Sequence, residues 1–462
     1  MKTTLTLTVS LIATAALLAA CAGPEPKRPT APEAAQAALP AASFASPGGS
    51  GPAAAELPWA EAFRGARLQQ LIPLALANNR DLRVAALNIE TARATASARD
   101  ADLWPTVNAG LSGSRTPTAA GGINSLYQAG LQVSAYELDV FGRLRGLSAA
   151  AAAQVLAAQS AQQAVRTALI ASVANAEIAL QADEALLKLT RDTVATREQS
   201  LALTRQRFEG GIAGELDLRS AESSLQAARA ALAQTQRQRA LDENALVLLV
   251  GGPLPADLPP PSGDLADFEP LAELPAGLPA EVLTRRPDIR QAEFALSAAD
   301  ANIDAARAAF WPRITLTGSV GTASGQLSGL FKNSAWSFAP QLVQPLFDAG
   351  RNRANLASAR ANRDIATAQY EKAIQTAFRE VADGLAGRAT LAEQRSALAA
   401  QVEAETRRLS AAEQRYAAGV SSALDRLDAQ RSLFAAQQSL VQVQSQRAQN
   451  LVTLYRALGG GG

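Results

Sequence analysis

The chain is written twice. Asn79-Arg80-Asp81-Leu82-Arg83 returns as Arg286-Pro287-Asp288-Ile289-Arg290, and Leu103-Trp104-Pro105 returns as Phe310-Trp311-Pro312, both 207 residues on. Phe141-Gly142-Arg143 then pairs with Ala349-Gly350-Arg351, Arg207-Phe208 with Arg415-Tyr416, Gly211 with Gly419, Leu216-Asp217 with Leu424-Asp425 and Gly251-Gly252 with Gly459-Gly460, all 208 residues on. Agreement at so many landmarks means one structural unit used twice. Any fold for this chain must therefore be built from two copies of one motif, residues 59–252 and 279–462, joined by the proline-rich segment 253–278.

Each copy has the same internal order. A helix comes first, over about 67–103 and 279–310, and Trp-Pro ends it because the residue before proline avoids helical geometry. Period-two segments follow: in Arg313-Ile314-Thr315-Leu316-Thr317-Gly318-Ser319-Val320 every second residue is apolar, the mark of a strand with one oily and one wet face. Thr106 to Ser114 alternates more weakly. After a Gly/Ser/Pro-rich loop, a second strand is expected over about 127–141 and 336–347. Strands of about 9 to 11 residues suit a tilted bilayer crossing, although the same alternation suits a soluble hairpin.

A proline-free helix then runs over about 143–208 and 351–416. Apolar residues recur at sevens in it (Leu187, Val194, Leu201, Phe208; Val402, Leu409, Tyr416) and in the return helix (Leu218, Leu225, Leu232; Leu427, Phe434, Val441). Glycine turns at Gly210-Gly211 and Gly419 reverse the chain, giving an antiparallel coiled-coil hairpin. The long helix measures about 100 Å at 1.5 Å per residue. The first and return helices together nearly equal it, so the simplest packing stacks them end to end beside it. The linker then falls at mid-height. Four strands per chain cannot close a barrel, and open edges are not tolerated in lipid, so closure requires several copies of the chain.

Composition removes most enzymes. There is no histidine and one cysteine among 462 residues, which excludes imidazole acid–base chemistry, His metal sites, an intrachain disulfide and thiolate clusters. No acid–base constellation of other residues stands out, so no catalysis is expected. Lys+Arg number 43 and Asp+Glu 42, a balance with no basic surplus for nucleic acid.

The single cysteine is placed where one is needed. Met1-Lys2 and the uncharged, mostly apolar run Leu5 to Ala20 read as a signal peptide over 1–20, ending Leu18-Ala19-Ala20-Cys21. This resembles the lipobox of bacterial lipoproteins, which implies a lipidated Cys21 as the new N-terminus. Ala22 follows where an Asp would alter sorting, which implies release to the outer membrane. Residues 21–58, rich in Ala, Pro, Gly and Ser, are then a tether.

With these features placed, the chain resembles the TolC/OprM family of outer-membrane efflux proteins, and within it the lipid-anchored NodT-type branch. The repeat order, both Trp-Pro stops, Phe-Asp-Ala-Gly-Arg at 347–351, Leu-Asp-Ala-Gln-Arg at 427–431 and the ending Leu454-Tyr455-Arg456-Ala457-Leu458-Gly459-Gly460 carry the resemblance. It implies a mainly α fold with membrane β: a homotrimeric tube whose 12-stranded barrel, four strands per chain, crosses the outer membrane and continues as a periplasmic helical barrel. It implies a passive exit duct in a tripartite pump, with a periplasmic adaptor and an inner-membrane resistance–nodulation–division pump as partners. No cofactor is implied beyond the lipid on Cys21. Protein export on the same fold, or a periplasm-spanning structural lipoprotein, are the rival readings.

The resemblance also implies site residues. Asp425 and Asp428 match family acids that narrow the periplasmic mouth, where three chains would set rings of carboxylates. Tyr416 matches a gate position and is also a heptad seam residue. Arg426 lies between the acids and is placed to neutralise a ring. Where TolC has a gate arginine after the turn glycine this chain has Ser421, so gating is expected to differ in detail. The turns, Arg207, Phe208, Gly210 and Gly211 in one hairpin and Arg415, Gly419, Val420 and Ser421 in the other, are the expected adaptor-docking tips.

Overall fold

The computed structural model describes residues 57–119, 121–263, 265 and 286–460. The signal peptide, Cys21, the tether up to residue 56 and most of the interrepeat linker lie outside the described residues.

The first copy opens with a short helix α1 (Trp59–Ala62), then α2 (Ala66–Asn78) and α3 (Arg80–Ala101). Strands β1 (Val107–Pro117) and β2 (Ile123–Leu138) lead to the long helix α4 (Arg143–Glu209) and the return helix α5 (Glu215–Val250). The second copy repeats this with α6 (Pro287–Ala308), β3 (Arg313–Ser324), a 3-10 turn at Leu327–Gly329, β4 (Ser334–Val343), α7 (Arg351–Ala417) and α8 (Ala423–Ala457).

The first helix departs from the continuous 67–103 element expected from sequence. Asn79 leaves helical geometry (φ −61°, ψ 131°) and splits it into α2 and α3. Its side-chain carbonyl accepts from the Leu82 N–H at 3.0 Å, and its amide donates to the Leu249 carbonyl at 2.9 Å. One residue thus caps the start of α3 and satisfies an orphan carbonyl at the end of α5. The same joint recurs in the second copy, where Arg286, ahead of Pro287 at the first helical position, donates to the Ala457 carbonyl at 3.0 Å. The short helices therefore meet end to end beside an unbroken long one. Only α3 belongs to that stack; α2 packs across α4 and α5 at mid-height.

At this joint level the helices gather the apolar core. Leu68, Leu71 and Ile72 from α2 meet Ile170, Val173 and Ile178 from α4, with Leu246, Ile289, Ile374 and Val452 from the other helices. Phe63 packs edge-on against Tyr455 at 5.5 Å, and the Tyr455 hydroxyl donates to the Leu57 carbonyl at 2.7 Å. Away from this level the seams narrow and are filled by small side chains such as Ala221, Ala228 and Ala436.

The four strands form one antiparallel sheet in the order β1-β2-β3-β4. Facing pairs fix which side chains share a side: Leu111 with Ala129, Leu131 with Val320, Val320 with Trp336, Gly318 with Phe338 and Ile314 with Leu342. A bulge between Val133 and Tyr136, with Ala135 at φ 52°, shifts the parity so that Tyr136 and Leu138 rejoin the apolar side.

Candidate functional site

The sheet has two chemically different faces. One carries Val107, Leu111, Leu131, Val320, Trp336, Phe338 and Leu342, all solvent-exposed in the single chain. The other carries Asn108, Ser112, Gln128, Gln132, Thr317, Ser319, Ser337 and Gln341. Alternation of this kind is what a strand needs when lipid lies on one side and water on the other. Between Asn108 and Thr116 on β1, and at the paired positions on β2 to β4, the wet face bears no charge. A row of residues without long side chains, Gly110, Gly130, Gly321 and Ala335, crosses all four strands on that face. A Cβ on Gly321 would sit 2.2 Å from the Ala129 carbonyl oxygen, and one on Gly130 2.4 Å from that of Val320. Glycine is what lets β2 and β3 approach so closely. Trp104, Trp311, Phe141 and Phe347 are exposed at the helix end of the sheet, placed as an aromatic girdle at a membrane–water boundary. No described helix is long and apolar enough to cross a membrane.

Charge appears where the sheet becomes helix. Glu137 at the end of β2 receives two hydrogen bonds from Arg143, both 2.8 Å, and one from Arg313 on β3. The second copy has the neutral Gln344 here, which donates to the Phe310 carbonyl at 3.1 Å.

The far end of the helices brings both hairpin turns together. They close alike: the Ile212 N–H donates to the Arg207 carbonyl at 2.8 Å, and the Val420 N–H to the Arg415 carbonyl at 2.9 Å. Gly211 and Gly419 take φ of 71° and 77°, left-handed values glycine adopts without penalty. Tyr416 is buried, and two guanidinium groups lie over its ring: Arg207 from the first hairpin at 4.4 Å and Arg426 from α8 at 4.3 Å. Arg197 on α4, also buried, donates to Gln430 on α8. Burial pulls the pKa of Arg426 and Arg197 down, and Arg426 adds to the effect on Arg197. The Nε and Nη2 of Arg426 are buried with no hydrogen-bond partner, a costly state for a charged group.

The two acids are held, not bare. Asp425 completes a capping box at the start of α8, its carboxylate accepting from the Ser422 N–H at 3.1 Å and hydroxyl at 2.8 Å. Those bonds, with Arg415 nearby, keep its pKa below the usual carboxylate range. Asp428 is lowered mainly by Arg408, which bonds it at 2.5 Å from α7, and then by Arg431 at 2.6 Å. Arg426 therefore does not neutralise the acids as expected; it turns inward onto Tyr416, and Arg408 and Arg431 supply the counter-charge.

Of the residues singled out from sequence, Tyr416 and Arg207 come together directly, and Asp425 lies beside Arg415. Phe208, Gly210, Gly211, Gly419 and Val420 are exposed at the tips, and the buried Ser421 hydroxyl has no hydrogen-bond partner. Cys21 lies outside the described residues. Sequence reading missed Arg197 and Arg408, and the exposed apolar side chains Ile212, Leu216 and Leu424 beside the turns. Arg426 was findable: 208 residues earlier stands Leu218, a seam residue of the first hairpin, so an arginine at a seam position was visible in the repeat itself.

A two-faced sheet of unclosed strands, continued by paired helical hairpins, defines a subunit of an outer-membrane channel. The chain belongs to the outer membrane efflux protein family, whose model matches it twice, over residues 71–252 and 278–460. It is 47% identical to the probable efflux pump outer membrane protein TtgC of Pseudomonas putida, over 98% of this chain and 95% of the relative. To the outer membrane protein OprJ of Pseudomonas aeruginosa it is 43% identical over 98% and 95%. The open-state crystal structure of the Neisseria gonorrhoeae MtrE outer membrane channel superposes with a TM-score of 0.83 at 39% identity, covering 95% of this chain and 98% of that one.

Proposed function

We propose that three copies of this chain close one barrel of twelve strands, four from each, as the passive exit duct of a tripartite efflux pump. The observation that carries this is the sheet: apolar on one face, wet on the other, with the outer edges of β1 and β4 unpaired within the chain. In lipid those edges must pair, and a second and third copy offer the complementary edge. Further relatives of Pseudomonas putida named as toluene and solvent efflux pump outer membrane proteins support small, solvent-like molecules as cargo. An inner-membrane resistance–nodulation–division pump would deliver them through a periplasmic adaptor, and the hairpin tips with Ile212, Leu216, Val420 and Leu424 would meet that adaptor. The Cys21 lipid would add a membrane anchor through its buried methylenes.

In this reading the duct needs no reacting atoms, only a wall and a gate. Tyr416 with its two arginines ties the first hairpin to the second. The Asp425 and Asp428 carboxylates, repeated on three chains, set the field at the mouth. Widening the mouth requires the Tyr416 seam between the two hairpins to part, while the Arg408–Asp428 pair holds the two arms of the second hairpin together.

The test is accumulation of a dye or antibiotic in cells lacking the gene, complemented with wild type or with Asp425→Ala/Asp428→Ala. Higher accumulation on loss, reversed by wild type, is the expected result, with greater envelope leakiness in the double variant. Loss of a secreted protein with unchanged accumulation would point to protein export. No change in either would point to a structural spacer. Mass spectrometry of the mature N-terminus tests the lipid on Cys21.

A further inference from the structure

Arg426 is only 6% exposed where α8 meets α4, and its Nε and Nη2 have no hydrogen-bond partner. Those two nitrogens share one edge of the guanidinium and form the fork that holds a carboxylate or phosphate by two parallel bonds. The Tyr416 ring, its centroid 4.3 Å from Cζ, attracts the charge but offers that edge no lone pair. Two further arginines crowd the place. Arg207 lies over the same ring at 4.4 Å, and the buried Arg197 donates to Gln430, one turn beyond Arg426 on the same face of α8. Among the described residues no carboxylate pairs with any of the three. The acids near the turns are engaged elsewhere: Glu222 by Arg219 at 3.0 Å, Asp428 by Arg408 at 2.5 Å and Asp425 by Ser422 at 2.8 Å. Glu413 on α7 acts on Arg426 only through space, from an exposed position. The hairpin frame does not demand this cluster. At the positions 208 residues away from Arg197, Arg426 and Gln430 stand Glu405, Leu218 and Glu222.

We propose that Arg426, flanked by Arg197 and Arg207, anchors an oxyanion-binding site in the seam between α4 and α8, for a freely diffusing phosphate or carboxylate. A buried guanidinium with an empty fork is a costly arrangement. A bidentate oxyanion supplies both missing acceptors together with the negative charge that the three cations lack. The fork is sealed from solvent while the seam is shut, so the anion seats as α4 and α8 ease apart. By binding that arrangement it favours it. This last consequence, a mouth held ajar by an anion, rests on the duct reading; the site itself rests on the geometry of one chain.

Equilibrium dialysis of the purified full-length protein in detergent tests the site, with radiolabelled inorganic phosphate in one arm and radiolabelled acetate in the other. Chloride in excess holds the ionic strength fixed. Saturable binding of at least one of the two, at a single site per chain, is the expected result, and the tighter arm names the oxyanion. Arg426→Leu, the residue type of the first copy, should abolish binding and keep the melting temperature at or above wild type. Arg426→Lys keeps the charge and loses the fork, and should bind about tenfold more weakly. Arg219→Leu, at an exposed arginine of the first hairpin, should bind as wild type does. Binding of neither anion, binding that survives Arg426→Leu, or equal affinity in Arg426→Lys would overturn the site. Conductance in planar bilayers separates the site from the duct. A conducting pore that binds neither anion keeps the duct and loses the site, and a protein that binds but does not conduct does the reverse. In a conducting pore the bound anion should raise wild-type conductance relative to Arg426→Leu, and an equal response in both would sink the link to the mouth.

Discussion

The two copies share a frame and differ in what they bury. At mid-height the first copy encloses Glu177, fully buried, in an ion pair with Arg67 at 2.7 Å. Its counterpart 208 residues on, Leu385, packs against the apolar core. At the tips the asymmetry reverses: Phe208 is 39% exposed where Tyr416 is 7% exposed beneath two arginines. The first return helix starts at Gly214 with no side-chain cap, and the second at Ser422 with a full capping box. The duplication kept backbone lengths and turn geometry, which the stacking of helices demands, and let polar content drift to where each hairpin's neighbours differ. At mid-height the first copy buries a carboxylate within its core, where the second keeps its buried charge, Arg286 paired with Glu380, at the helix joint; at the mouth the second hairpin supplies the buried Arg426.

The largest test of that contrast is at mid-height. Arg67→Met leaves Glu177 buried and unpaired and should cost about 3–5 kcal/mol. Adding Glu177→Leu, the residue type of the second copy, should recover much of the loss, read as the melting temperature of the purified protein. If the double variant is no better than the single, burial of charge is not what distinguishes the copies.

At the tips, Tyr416→Ala should cost about 3 kcal/mol through lost packing and lost cation–π contact. Phe208→Ala at the equivalent place should cost about 1 kcal/mol. Uptake of a large antibiotic should rise in the first variant and stay near wild type in the second. Equal leakiness would mean that the turns, not the seam, close the mouth. A smaller effect separates the helix starts: Ser422→Ala should destabilise by about 1 kcal/mol, while Gly214→Ser should gain a few tenths, about 0.3 kcal/mol.

The last comparison predicts no effect. Asp425 and Asp428 have pKa values held below the ordinary carboxylate range, so their charge persists through neutral and mildly acidic pH and is lost only as pH falls through the lowered values. Single-channel conductance should therefore be flat from about pH 5 to 8. A conductance step near neutrality would place a different titrating group at the mouth.

Much of this architecture could be read from the sequence because it depends on local pattern. Period-two stretches at 313–320 and heptads through Leu218 and Leu225 report faces without knowing what they meet, and Trp-Pro stops a helix wherever it stands. The break at Asn79 was not readable, because asparagine is tolerated within helices and leaves this one for a carbonyl 170 residues away on α5. Asp428 takes its counter-charge from Arg408 and Arg431 and not from the adjacent Arg426, because neighbours in sequence on a helix point to different sides. Arg408 reaches Asp428 from the other arm of the hairpin. Buried Arg67, Glu177 and Asp183 look in sequence like any solvated helix charge, and only the packing of α2 and α5 against α4 removes them from water.

The end-to-end meeting of short helices beside unbroken ones has a mechanical consequence. Each copy has a seam at one height, where a side-chain amide or guanidinium reaches a carbonyl and, in the second copy, Glu380 of the long helix bridges Arg286 and Arg456, with a continuous rod of 67 residues alongside. A wall laid this way bears axial load through its rods. Torsion concentrates at its seams, since a butt joint with few hydrogen bonds across it turns more readily than a helix of many. Twisting the lower half of such a cylinder against the upper would slide the rods past one another and change the bore at the bottom, as the blades of an iris do, while the barrel at the top keeps its diameter.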